Sequence, residues 1–291
     1  MSIKTLRFEG IKKRATKFKK LSEEFSLNQE FSIDQEVEKF LNKDHLAPII
    51  GTICDQQITT EHAWTFPYWL HNKLNGKFSA QSIYKLGTKK IEKLLSLFLE
   101  DKWPSGMADK DRKNYLKNIS RYIIKTCELI INVYDNDADN MFKNGKFTAP
   151  EIYFILRSLP GIGPKKASMI ARDFVKAEGP WYEGIQDRLE KKGIKFKVER
   201  KNLTEVPVDV HVVKIFGRVM GEFRKTPSRD KFLDYWPDIQ NFAKLAFPSF
   251  PGKIDEILWL VGRQYCYESE PDCKNCPLKD IPCEYAKRKG L

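Results

Sequence analysis

The chain is predicted to be mostly α-helical and divided into two lobes. Three observations carry this reading. Apolar residues recur at three- and four-residue steps along most of the sequence. Strand-like alternation is almost confined to one stretch, and 291 residues suffice for two modest cores. No repeat at solenoid period and no low-complexity tract interrupts the pattern. The longest apolar runs fall far short of the roughly 20 residues of a membrane-crossing helix, which leaves the soluble classes. No secretory signal precedes the cysteines, so a reducing compartment, cytoplasm or nucleoid, is expected.

Residues 1–43 read as a basic N-terminal arm and a helix packed on the second lobe. Lys12, Lys13, Arg14, Lys17, Lys19 and Lys20 alternate with Phe8, Phe18 and Phe25. Such a run is a solvated face or partly ordered arm, or a contact with a nucleic-acid backbone. The first lobe spans 44–206. Asp44 is placed to cap a helix with Pro48 in its first turn and Ile49, Ile50, Ile53, Cys54 and Gln57 in helical register, which makes Cys54 a core residue. Further helices are expected from Glu61 to Lys73, from Ala80 to Leu86 behind Ser79, from Lys89 to Phe98 behind Thr88, and from Lys110 to Val133. The last carries Tyr115, Ile119, Tyr122, Ile123, Ile130 and Val133 on one stripe, with Cys127 beside it.

Residues 148–175 read as two helices joined by a tight hairpin. Thr148 and Glu151 have the spacing of a capping box, and Pro160 with Gly161 stops the helix they start. Gly163 can cap the next helix, with Pro164 as its first residue. A glycine turn leading into a helix N-terminus exposes backbone N–H groups that bind phosphate without reading sequence, and Lys165 and Lys166 follow at once. Residues 183–206 differ in kind. Gly184, Gly193, a charge run and the alternating Ile194, Phe196 and Val198 suggest a surface insertion with a short hairpin.

The second lobe spans 207–291. Asp209 precedes Val212, Val213, Ile215, Phe216 and Val219 as an ordinary N-cap, worth about 1 kcal/mol, of a helix that Gly221 ends. Cys266, Cys273, Cys276 and Cys283 place four of the six cysteines within eighteen positions. Disulfides do not suit a reducing compartment, and a metal does. Four thiolates can hold tetrahedral zinc. Zinc sites usually pair two short knuckles, whereas a single C-x2-C between two lone cysteines looks more like the loop of a 4Fe–4S cluster. With 51 Lys plus Arg against 39 Asp plus Glu, the net charge of +12 favours polyanionic partners, a bias shared by RNA-binding and ribosomal proteins.

Three motifs carry a family resemblance, in order along the chain. LPGIGPKKA resembles the DNA-binding hairpin, VPVDVHVV the segment around the catalytic aspartate, and GRQYCYESEPDCKNCPLKDIPCEY the cluster loop of the endonuclease III family of DNA glycosylases. The resemblance covers roughly residues 44–285. It implies a two-lobed helical glycosylase fold, a 4Fe–4S cluster on the four cysteines of 266–283, and a monomer acting on duplex DNA that contains a damaged base or an abasic site. Asp209 matches the catalytic aspartate, which would stabilise positive charge building on the sugar. Lys165 matches the family's nucleophile. A cation at the positive end of a helix, beside Lys166, favours its neutral amine, which can attack C1′, form a Schiff base and lead to β-elimination. Gln57 matches a glutamine inserted into the duplex when the target nucleotide is flipped out. Gly161, Gly163, Lys166 and Lys274 are the expected phosphate contacts.

Gln56 and Gln57 also bring to mind the adenine-removing branch. That branch has an acid where Thr52 stands here, and it carries a further C-terminal domain, so adenine removal is not expected. Two departures are visible. One extra residue precedes Cys283, and 43 residues separate Lys165 from Asp209, with 183–206 as the extra piece. That piece, with Trp181 and Tyr182 at its start and Lys191, Lys192, Lys195, Lys197, Arg200 and Lys201 along it, is a surface loop, or it holds the strand opposite the lesion or alters the accepted base. The alternatives for the chain as a whole are a monofunctional glycosylase for uracil, mismatched thymine or alkylated purines, and a non-catalytic binder of DNA structures.

Overall fold

The computed structural model describes residues 3–24, 34–177, 180–223 and 225–290. Phe25, counted above among the aromatics of the basic arm, lies outside them. The helices in chain order are α1 (Ile3–Glu24), α2 (Gln35–Lys43), α3 (Ala47–Cys54), α4 (Thr60–Lys73), α5 (Ala80–Phe98), α6 (Asp109–Val133), α7 (Ala149–Arg157), α8 (Pro164–Lys176), α9 (Pro180–Lys191), α10 (Val210–Met220), α11 (Trp236–Ala246), α12 (Ile254–Gln264) and α13 (Glu284–Arg288). Two three-residue strands, β1 (Lys146–Thr148) and β2 (Lys197–Glu199), are the strands among the described residues. The fold is mostly α. It comprises two compact units, residues 30–199 and residues 1–29 with 200–291.

In the 30–199 unit, α3 is buried along its whole length, as an apolar sequence on all sides requires. Asp44, expected as its N-cap, instead ends α2, and Leu46 is the cap residue; the Asp44 carboxylate still accepts hydrogen bonds from the N–H groups of Leu46 and Ala47 at 2.8 and 2.9 Å. Helix α5 contains the expected break, because Gly87 (φ 71°, ψ 165°) leaves the helical region between its two halves. Helix α6 turns Tyr115, Ile119, Ile123, Cys127 and Ile130 inward, while Val133 ends the stripe exposed. Helix α2 packs on α9, α3 and α4, so the segment expected as 1–43 is shared, with α1 in the other unit and α2 in this one.

Residues 183–206 are not a surface insertion with a hairpin. Their first half is α9, whose Trp181, Ile185 and Leu189 are buried at steps of four. The Trp181 indole N–H donates to Pro48 O at 3.0 Å and to Thr52 Oγ1 at 3.1 Å. Arg188 grips the buried Asp139 with two bonds, Nε to Oδ2 at 2.8 Å and Nη2 to Oδ1 at 3.0 Å. The alternating residues do form a strand, but β2 pairs in parallel with the distant β1, with Phe147 opposite Val198. Phe196 is drawn in by a ring cluster of Phe142, Phe147 and Phe174. Burial of those rings outweighs the local pairing that a hairpin would provide.

In the other unit, α1 is amphipathic. Ala15 and Phe18 enter a core with residues of α10, α11 and α12, and Phe18 meets Phe242 edge to face at 5.5 Å. Arg14 donates to Pro282 O at 2.8 Å and pairs with Glu284, and Lys17 bonds Asp280 O. The arm is thus a helix tied to the segment of the last cysteine. Gly262 permits the close approach of α12 to α10, since a Cβ there would lie 2.7 Å from the Cβ of His211.

Candidate functional site

The hairpin forms as its sequence dictates. Both halves of the Thr148–Glu151 capping box are present, with Thr148 N–H donating to Glu151 Oε2 at 2.6 Å. Leu159 and Ile162 plug the turn into the core. Arg157 closes it by donating to Ile162 O at 2.8 Å. Gly161 has φ 85°, and a Cβ on it would fall 2.8 Å from the Tyr122 ring, so both conformation and space require glycine there. Gly163 caps α8 without a side-chain acceptor and Pro164 occupies the first turn, which leaves this helix start suited to an anion.

The two lysines that follow part ways. Lys165 is exposed. Lys166 is 7% exposed and donates to Ile53 O at 2.9 Å and Gly161 O at 3.3 Å. The expectation that Lys166 meets phosphate is therefore corrected: its ammonium is turned into the unit, where it satisfies carbonyls of the last turn of α3 and of the hairpin. Burial lowers its pKa to about 8, against the opposing pull of Asp55 and Cys54. Asp55 is the counterpart. Burial raises its carboxyl above the usual range, and Lys165, then Lys166, draw it back.

Helix α3 ends at Cys54, so Gln57, expected in its helical register, lies instead in the α3–α4 loop, on the same unit as the hairpin. Gln57 is exposed with φ 61°, a left-handed conformation that costs a non-glycine residue roughly 1 kcal/mol. Hydrogen bonds anchor both ends of the loop. Tyr115 donates to Cys54 O at 2.9 Å, and Thr59 accepts from His62 N–H at 3.3 Å to start α4. Thr52, where an acid would be needed for adenine removal, is fully buried and donates to Pro48 O at 2.8 Å.

Asp209 belongs to the other unit. Its Oδ1 accepts from His211 N–H at 2.9 Å and from Val212 N–H at 3.1 Å, so it caps α10 as expected and is half-buried. The same helix reaches the cysteines. Arg218, 1% exposed, donates from Nη1 to Cys266 Sγ at 3.1 Å and Tyr267 O at 2.7 Å, and from Nη2 to Glu268 O at 3.0 Å. Its guanidinium also lies 4.6 Å from the centre of the Tyr285 ring. Lys214, one turn earlier, donates to Gly262 O at 2.8 Å.

Cys266, Cys276 and Cys283 pack against the core of this unit. Burial pushes the Cys266, Cys273 and Cys276 thiols up, and the charges of neighbouring cysteines push the same way. Among the described residues no three His, Cys, Asp or Glu side chains are gathered so as to grip a single cation. Four thiols lie on this loop with a guanidinium N–H on one sulfur, donors that fit an iron–sulfur cluster as well as zinc. Lys274 is exposed on the turn between Cys273 and Cys276.

The structure is similar to a thermostable thymine-DNA glycosylase, with a TM-score of 0.50 at 13% identity over 99% of this chain and 100% of that one. The fold is that of a helical DNA glycosylase. A non-covalent endonuclease III–DNA complex aligns with a TM-score of 0.48 at 16% identity, and a trapped endonuclease III–DNA covalent intermediate with 0.49 at 17%, each over 88% of this chain and 94% of the other. No family model and no curated protein sequence matches. No helix among the described residues is long and apolar enough to cross a membrane.

Three residues of these arrangements escaped the sequence reading: Asp55, Lys214 and Arg218. Lys214 and Arg218 stand four apart among the apolar residues of the helix that Asp209 begins. That is the one signal that could have marked them.

Proposed function

We propose that this protein is a DNA glycosylase with AP lyase activity, acting on duplex DNA that carries a damaged base or an abasic site. The observation that carries the proposal is the exposed Lys165 in the first turn of a glycine-capped helix, directly after a hairpin shaped for a phosphate. The fold supports the glycosylase part of this reading.

Backbone N–H groups at the α8 start hold the DNA backbone, and Gln57 fills the space left when the target nucleotide leaves the stack. Once deprotonated, the Lys165 amine attacks C1′ of the sugar; the C1′–N bond breaks and its electrons leave with the base, which takes up a proton. Loss of a second proton from nitrogen as the sugar ring opens gives the Schiff base. Removal of a C2′ proton then expels the 3′ phosphate by β-elimination. Asp209 stabilises positive charge developing on the sugar and assists the proton transfers. Cys266, Cys273, Cys276 and Cys283 would hold a 4Fe–4S cluster, whose bonds to the four sulfurs would tie the 266–283 loop, and the exposed Lys274 on that loop meets the DNA backbone.

The test is incubation with duplexes carrying uracil, thymine glycol, 8-oxoguanine, hypoxanthine or an abasic site, with and without borohydride. A covalent adduct that disappears in Lys165→Gln is the expected result and names the lesion. Base release without an adduct would move the assignment to a monofunctional glycosylase. Damage-independent binding without base release would make the chain a structure-specific DNA binder.

A further inference from the structure

Lys166 presents a problem of cost. Taking an ammonium out of water is expensive, and an apolar side chain of the same length would fill the space more cheaply. The bonds it makes show what the charge secures. One acceptor, Ile53 O, is in the last turn of α3, two residues before Asp55 and four before Gln57. The other, Gly161 O, is in the hairpin turn, four residues before Lys165. A single side chain thus joins the segment that presents Gln57 to the segment that presents Lys165. Asp55, at the C-terminus of α3, feels the charges of both lysines. Gln57 is held in a left-handed conformation, which persists only where neighbours determine it. Tyr115 donates to the adjacent carbonyl, Cys54 O, at 2.9 Å, a bond whose partner is in α3 and not in the hairpin.

We propose that Lys166 is a positioning residue that sets Gln57 against the Lys165 hairpin, so that filling the duplex and presenting the amine share one register. This rests on the roles given to Gln57 and Lys165 under the proposed function.

The experiment is a double-mutant cycle between Lys166→Met and Gln57→Ala in the full-length protein. The readout is the ratio of affinities for a duplex containing a tetrahydrofuran abasic analogue and for the same duplex undamaged, at fixed salt. Lys166→Met should cost about tenfold of the damaged-over-undamaged preference. It should match Gln57→Ala, with no further loss in the double variant and unchanged affinity for undamaged DNA. Tyr115→Phe loosens the same helix end but not the clamp, and should keep the preference. Full preference in folded Lys166→Met, additive losses, or an equal loss in Tyr115→Phe would each overturn the proposal. Absence of any preference in the unaltered protein would do the same. If Lys166→Met does not fold, as its melting temperature will show, Lys166→Gln takes its place in the cycle with the same expected and overturning results. Because the readout needs no turnover, a protein that prefers the analogue yet releases no base would refute the enzymatic reading and leave this one standing.

Discussion

The Arg218 guanidinium, buried in the apolar face of α10, donates to Cys266 Sγ at 3.1 Å while the first residue of that helix follows Asp209 directly. One helix therefore joins the candidate catalytic carboxylate at its start to the cysteine loop about two and a half turns later. Arg218→Met should leave Tyr267 O, Glu268 O and the Cys266 sulfur without their donor, at a cost of about 3 kcal/mol or more. The purified variant should hold less iron per chain and show weaker absorbance in the visible-blue region. A colourless parent protein containing one zinc would reject the cluster assignment outright.

Lys165 and Lys166 make separable predictions. Lys165→Gln removes the nucleophile from an exposed position and should abolish borohydride trapping while changing duplex affinity by less than about threefold, the effect of losing a single phosphate-range charge. Full lyase activity in that variant would exclude Lys165 from the reaction.

For Asp209, isosteric and truncating substitutions separate capping from catalysis. Asparagine caps nearly as well as aspartate, so Asp209→Asn should melt within about 0.5 kcal/mol of the parent, whereas Asp209→Ala should lose about 1 kcal/mol. Both should slow base release by about 100-fold or more if the carboxylate acts on the sugar. Single-turnover rates beside urea melts make the comparison, and a rate loss only in the alanine variant would reduce Asp209 to a cap.

Lys166 also gives a pH signature. Its folded pKa of about 8 lies below the ordinary 10.5, so the unfolded chain binds more protons between those values. Stability therefore rises with pH through that window, and the cost of the buried charge is fully present below about 8. Relative to Lys166→Met, the parent should gain up to about 3 kcal/mol between pH 7 and pH 10. Tyr115, pushed up by burial, acts oppositely in the two proteins alike, whereas Cys54, also pushed up by burial, loses the downward pull of Lys166 in the variant; the difference between the urea midpoints below the ordinary thiol range near 9 is therefore the readout. A difference that does not change with pH would contradict the assignment.

Leu189 tests the status of residues 183–206. A surface loop would tolerate Leu189→Ala, but a side chain 1% exposed in α9 should cost about 2–5 kcal/mol. Denaturant unfolding with a loss below about 1 kcal/mol would return the segment to the surface.

The sequence alone determined what depends on near neighbours. Helix starts at Ser79, Thr148 and Asp209, the break at Gly87 and the Gly161 turn are local hydrogen-bonding and steric matters, and they stand in the structure where their residue types put them. The hairpin was legible for the same reason. Only the tertiary structure decided which of two adjacent lysines faces water, because a helix turns by about 100° per residue and the carbonyl that receives Lys166 is 113 residues away. Arg218 was illegible likewise: its partners lie 48 to 50 residues along the chain. The misread stretch, 183–206, failed for the same cause. Its alternation correctly marked a strand, but the partner is β1 and the burial comes from the rings of Phe142, Phe147 and Phe174, so long-range packing assigned to the core what local charge and glycine content had suggested for the surface.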